Sequence, residues 1–286
     1  MRLSFLISAA ICLAQLCSAQ TVDIHVPASV VAGNEAAIST SGSGKATLYL
    51  SGPGISRKTD IDLGHEINVQ SQDLKNAGVY FVIVCSDTCR SASFYVSAAN
   101  PAAMTFLVHP SRVPVKQDDA VSGVALAFDQ FHNLVLAPAT VNFQLTAGNT
   151  TVYSRSARMQ DGVAWFRATS GGSSGALQVT AALDQLSTRR VVQQVASDPC
   201  NLRIKGQRTS SGILVETEPV HDCAGNSVSD GTIVTFTAVD GKGKSTVDAP
   251  IKQGVARAQI QASNQAVISV ASGVVLGNEL RVGAQP

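Results

Sequence analysis

The chain has 286 residues, with 21 basic against 20 acidic side chains and a formal net charge of +1. That balance, without a basic stripe, excludes an electrostatic nucleic-acid binder and gives no pull toward anionic membranes. Charged residues are only 14% of the chain while Val, Ala, Thr, Ser and Gly abound, a mixture poor in surface-helix formers that leans to β structure.

The opening MRLSFLISAAICLAQLCSAQ places Arg2 before an apolar run from Leu3 to Leu16, followed by Cys17-Ser18-Ala19. Small residues at −3 and −1 of a cut after Ala19 predict a secretory signal peptide over 1–19. The run is too short for a membrane-spanning helix. A lipoprotein reading at Cys17 fails because Ala14-Gln15-Leu16 lacks the small residue expected next to that cysteine. No later segment is long and apolar enough to span a bilayer, so the mature chain is expected to be exported without a transmembrane segment, to the periplasm, the cell surface or the medium. Cys12 and Cys17 leave with the signal. Cys85, Cys89, Cys200 and Cys223 remain, and an even count in an oxidising compartment predicts two disulfides. Sequence order pairs 85 with 89 and 200 with 223.

From residue 20 to 98 the chain reads as short alternating runs: TVDIHV, AAIST, ATLYL, TDIDL, EINVQ, VYFVIV and SASFYV. Gly, Ser, Pro and Asn clusters separate them, which is the pattern of a β-sandwich. Asp73-Leu74-Lys75-Asn76-Ala77-Gly78-Val79-Tyr80 resembles the tyrosine corner of immunoglobulin-like domains, where a Tyr bonds back to upstream backbone. Val82 stands where that family carries its inter-sheet cysteine. Cys85 and Cys89 instead bracket Ser86-Asp87-Thr88, and a bridge closing so small a loop contributes modestly.

NPAAM, residues 100–104, reads as a linker. Beyond it the chain repeats itself. FDQFHNLVLAPATVNFQLTAG from Phe128 and VHDCAGNSVSDGTIVTFTAVDG from Val220 match with Asp129 and Asp222, Asn133 and Asn226, Val141 and Val234, Phe143 and Phe236 each 93 positions apart. DGVAWFRA and QGVARAQI align with the offset reduced by one, and ALQVTAAL and AVISVASG close the two copies. Such a period predicts duplication of a whole domain, over 104–196 and 199–286. His221 and Cys223 align with Phe128 and Gln130, so the His-Asp-Cys cluster is not kept. The shared Asp and Asn are turn formers, and the stretch reads as a turn into a strand.

The D-x-x-x-N turn followed by V-x-F, the G-V-A strand start and the closing strand, twice and in order, resemble the bacterial immunoglobulin-like domains of invasins and intimins, often termed Big-1 domains. The first unit resembles immunoglobulin-like domains only generally. The resemblance implies tandem sandwiches that hold a functional tip away from a bacterial surface, or bind partners through exposed faces and loops. No outer-membrane barrel, cell-wall sorting motif or C-terminal lectin-like tip is recognisable, so that family's anchoring is not expected here.

Candidate chemistry is sparse. Gly241-Lys242-Gly243-Lys244-Ser245-Thr246 mimics a phosphate loop, but position 238 is Ala where the motif needs Gly, and VDAP follows instead of a helix. A hairpin loop is expected. His25, His65, His109, His132 and His221 form no metal-ligand spacing, and no G-x-S-x-G elbow occurs. The turn residues, with Asp118 and Asp119, offer oxygen donors for calcium, but too few at each turn. Asn149-Thr150-Thr151 is a glycosylation sequon, which the resemblance to bacterial domains implies is incidental. No cofactor and no metal are expected.

Period-two alternation puts Ala164, Phe166 and Ala168 on the inner face, and Val163, Trp165 and Arg167 on the outer one. Trp165, the only tryptophan, and Arg167 are therefore the candidate binding residues, for a sugar or a partner strand; the alternative is that a neighbouring loop or the adjoining domain covers Trp165. The sequence thus predicts an all-β protein of three tandem immunoglobulin-like β-sandwich domains: a non-enzymatic, exported structural or adhesive module with a protein or polysaccharide partner. The alternative is a carbohydrate-binding accessory protein acting on extracellular polysaccharide. A pilus-type chaperone is disfavoured by three domains and neutral charge, and the second sandwich, lacking a disulfide, is expected to unfold first unless its neighbours support it.

Overall fold

A computed structural model describes residues 22–263 and 265–283. The signal-peptide reading of 1–19 lies outside them. The chain divides into two compact units, Met1–Ala99 and Asn100–Pro286.

The first unit is a sandwich of eight strands: β1 (Ile24–His25), β2 (Ser29–Val31), β3 (Ala36–Thr40), β4 (Lys45–Gly52), β5 (Ile55–Asp62), β6 (Glu66–Val69), β7 (Gly78–Cys85) and β8 (Cys89–Ser97). One sheet runs β1-β3-β6 and the other β2-β8-β7-β4-β5. The alternation that predicted strands also builds the core, since Leu48, Leu50, Val82, Val84 and Val96 point inward and are buried. Tyr80 is fully buried and its hydroxyl donates to the Asn76 carbonyl at 3.0 Å, as a tyrosine corner requires. Cys85 and Cys89 pair across β7 and β8 and are disulfide-bonded. The seven alternating runs do not include β2, three residues that lie parallel to β8.

The second unit contains two sandwiches. One consists of β9 (Ala103–His109), β10 (Arg112–Pro114), β11 (Val121–Phe128), β12 (Thr140–Ala147), β13 (Thr150–Arg158), β14 (Val163–Ala168), β15 (Gly175–Leu183) and β16 (Leu186–Val195). Its sheets run β14-β11-β9 and β10-β16-β15-β12-β13. This is the order of the first unit, including a three-residue parallel edge strand, here β10 on β16. Ala103 and Met104 belong to β9, so the linker expected over 100–104 is shorter than predicted. Its last residues alternate in step with the strand that follows them. Phe143 lies between Phe106 and Phe166 in the core, with ring centroids 5.9 and 4.8 Å away.

The last sandwich consists of β17 (Pro199–Cys200), β18 (Ile204–Thr209), β19 (Gly212–Thr217), β20 (His221–Asp222), β21 (Ile233–Asp240), β22 (Gly243–Pro250), β23 (Arg257–Ile260), β24 (Ala266–Ser272), β25 (Val275–Leu276) and β26 (Leu280–Val282). Here the duplication is incomplete. Residues 110–120 of the preceding sandwich cross from β9 to the opposite sheet and back, whereas Ser210 and Ser211 alone join β18 to β19. Two residues close a hairpin but cannot span the roughly 10 Å between packed sheets. No counterpart of the parallel edge strand is therefore formed among the described residues. Cys200 is disulfide-bonded to Cys223 beside the β17–β20 pair.

Candidate functional site

The shared turns are capping devices. Asp129 Oδ1 accepts from the backbone N–H of Phe131 at 2.9 Å and of Asn133 at 2.8 Å, and Oδ2 from Asn133 Nδ2 at 2.8 Å. Asp222 repeats this with Ala224 at 2.9 Å and Asn226 at 2.8 Å, and adds the Ser197 N–H at 3.0 Å. The third residue after each Asp is left-handed, His132 at φ 66° and Gly225 at φ 85°, a conformation natural to Gly and tolerated in turns by a few others. Burial pushes the Asp222 carboxyl up, but the N–H donors of Asn226, Ser197 and Ala224 outweigh it and hold the group below its ordinary 3.8. Both carboxylates are committed to these turns, and no group of three His, Cys, Asp or Glu with metal-binding geometry occurs among the described residues.

The phosphate-loop mimic is a tight hairpin in which Asp240 pairs with Gly243 around Gly241-Lys242. Asp240 accepts from the N–H groups of Ser263 at 2.6 Å, Lys242 at 2.8 Å and Gly243 at 3.1 Å. Those donors, Ser263 first, lower its pKa to about 2. The five histidines are all exposed and scattered.

Trp165 and Arg167 do point outward, and Trp165 is 60% exposed. The register adds what the sequence did not reveal. Across the outer face of the three-stranded sheet, Trp165 on β14 pairs with Val124 on β11, which pairs with Leu107 on β9, itself 60% exposed. Arg167, Ser122 and His109 form the next row. The counterpart of the Trp165 row in the last sandwich is Arg257, Glu216 and Lys205. There Glu216 takes a 2.7 Å contact from Arg257 and a 3.4 Å contact from Lys205, and the Arg257 hydrogen bond lowers its carboxyl pKa. One copy of the fold thus carries a solvated ion triad where the other carries an aromatic and two aliphatic residues. The scaffold does not need an apolar row at this place.

Beside Trp165 the edge strands β13 and β14 of the two sheets leave an open groove of about 520 Å³, lined by Arg155, Arg158, Asp161, Val163 and Trp165 among others. Arg155 pairs with the buried Phe143, so its side chain leaves the core-facing side of β13 at the rim of the sandwich. Its counterpart Val247, opposite Phe236, packs against the core of the last sandwich.

Fold and edge order define a protein of tandem immunoglobulin-like sandwiches. The chain is similar to the Escherichia coli adhesin FdeC, with a TM-score of 0.65 and 16% identity over 93% of this chain and 97% of that one. It is also similar to invasin, a bacterial integrin-binding protein, with a TM-score of 0.52 and 14% identity over 93% of this chain, spanning 60% of the invasin chain. At these identities the likeness is one of fold. No protein family and no curated protein sequence matches the chain. Among the described residues no helix is long and apolar enough to cross a membrane.

Proposed function

We propose that this protein is an exported, non-enzymatic structural or adhesive module whose partner, a protein or a polysaccharide, lies outside the cytoplasm. The observation that carries the reading is the row Trp165–Val124–Leu107, two exposed apolar residues on either side of a half-buried valine, on a sheet face where the sister sandwich keeps Arg257–Glu216–Lys205. Isolated exposed apolar residues need no explanation, but a contiguous row with an aromatic at one end marks an interaction surface. The adhesin-type fold supports the same reading, and two disulfides fit an oxidising compartment. The test is retention of the labelled protein on bacterial and host-cell surfaces, with the wild type against Trp165→Gln/Leu107→Lys. The reading predicts saturable retention lost in the variant; equal retention of both proteins would remove this face from the function.

A second reading, a carbohydrate-binding accessory protein, is favoured by the groove beside Trp165. A tryptophan at the lip of an open cleft offers a flat apolar face to a sugar ring while its indole N–H remains a donor.

A further inference from the structure

We propose that the groove between β13 and β14 binds an anionic polysaccharide through its carboxylates, with Trp165 as the stacking platform and Arg155 and Arg158 as the carboxylate partners. This rests on the polysaccharide reading above and names its ligand class.

The internal duplication supplies the control. The last sandwich has the equivalent groove between β22 and β23, lined by Pro250, Lys252, Gln253, Val255 and Arg257. With the one-residue slip in the alignment, these stand for Arg158, Gln160, Asp161, Val163 and Trp165. The groove itself therefore follows from how two sheet edges meet in this fold. What only the middle sandwich has is the combination of Trp165, Arg155 and Arg158. Arg155 replaces a core-packing Val247, Arg158 replaces Pro250, and Trp165 replaces an arginine engaged by Glu216.

Charge favours an anion. Arg155, Arg158 and Arg167 take part in none of the four ion pairs of the described residues, and Asp161 is the one acid lining the groove. Guanidinium groups bind planar carboxylates through paired N–H donors, and two of them on one edge strand suit repeating uronate units. The groove is open along the edges, not closed into a pit, and its 520 Å³ lies within the roughly 300–1,000 Å³ range of small-ligand sites. An open groove admits a segment of a longer chain.

The test titrates the full protein with oligogalacturonate, oligoalginate, methyl-esterified oligogalacturonate and dextran sulfate. It reads Trp165 emission for the wild type and calorimetry for the variants. The expected result is a saturable emission shift with at least one uronate oligomer, weakened at least about tenfold by esterification. Arg155→Gln/Arg158→Gln and Trp165→Gln should each weaken it about tenfold, and Lys252→Gln/Arg257→Gln in the sister groove should leave it unchanged; unchanged far-ultraviolet spectra verify that the variants fold. Equal binding of the esterified oligomer would overturn the anionic class while leaving the polysaccharide reading. Binding of dextran sulfate and uronates alike, indifferent to Trp165→Gln, would reduce the site to non-specific attraction and overturn the proposal. Silence with every glycan would overturn both.

Discussion

Asn226 Oδ1 accepts a hydrogen bond from the Ser174 backbone N–H at 2.8 Å, while Asn226 Nδ2 donates to the Gly172 carbonyl at 3.0 Å. A turn of the last sandwich thereby grips the loop between β14 and β15 of the middle one. That loop is pinned from behind by the buried Gln194, whose Oε1 accepts from Gly171 and whose Nε2 donates to Ser173 at 2.8 Å. The middle sandwich has no disulfide, and this joint ties it to a neighbour that has one. Asn226→Ala should weaken the joint by about 1–2 kcal/mol. Trp165 anisotropy during urea unfolding reports the middle sandwich alone. In the wild type, reducing Cys200–Cys223 should lower the midpoint that Trp165 reports; in Asn226→Ala it should not. Identical responses in both proteins would mean that the joint carries no coupling.

A second relationship joins neighbouring strands of one sheet in each repeat. Gly123 pairs with Phe166, and a Cβ on Gly123 would overlap that ring. At the aligned pair, Val215 faces Ala258. The small and large members have exchanged strands, conserving volume. Gly123→Val alone should destabilise by about 1–3 kcal/mol through overpacking, and Phe166→Ala alone by about 3–5 kcal/mol through a cavity. In the Phe166→Ala background, Gly123→Val should change sign and stabilise, because it fills the space just opened. Urea denaturation of the four proteins of this cycle measures the sign directly.

Much of this was legible in the sequence because it is local. Alternation alone oriented Trp165 and Arg167, the even count and order of the cysteines suggested both disulfides, and the Asp–Asn repeat marked its turns. What escaped depends on register between distant strands. Leu107 joins the row of Trp165 only because β9 pairs with β11 after residues 110–120 detour through the opposite sheet. Arg155 lies on the inward side of β13 because that strand pairs with β12 through a register irregularity at Leu145/Thr146. The strands Ser29–Val31 and Arg112–Pro114 are three residues long, too short for alternation to register, and their partners are parallel and far along the chain. For the same reason the common strand order of the first unit and the middle sandwich is visible only in three dimensions.

The G-V-A strand starts share one hairpin device. Asp161-Gly162 and Gln253-Gly254 both have two positive φ values, 49° and 80° in the first and 52° and 80° in the second, as a two-residue turn of the mirror-image type demands. Alanine at either glycine should cost about 1–2 kcal/mol from the left-handed backbone. A Cβ on Gly162 would also come within 2.6 Å of Leu134 Cγ, whereas one on Gly254 meets nothing within 4 Å. Gly162→Ala should therefore be the more damaging by at least about 1 kcal/mol. Thermal unfolding of the two variants decides it; equal losses would show that Leu134 yields without cost.

Acid should loosen the last sandwich through its turn carboxylates. Asp240 has its pKa lowered from 3.8 to about 2, chiefly by the Ser263 N–H, and Asp222 is lowered in the same direction. A folded pKa below the unfolded one means that the unfolded state binds protons first as pH falls. The stabilisation is therefore complete above the unfolded value of 3.8 and is lost as pH drops through the folded one. For Asp240 the window lies between about pH 4 and pH 2. The urea midpoint of the wild type should decline across that window. Asp240→Asn should start lower at neutral pH, because an amide replaces the charged acceptor of three N–H groups with a weaker one, and should decline less on acidification. A variant that tracked the wild type at every pH would show that the proton goes elsewhere, with Asp222→Asn the next substitution to measure.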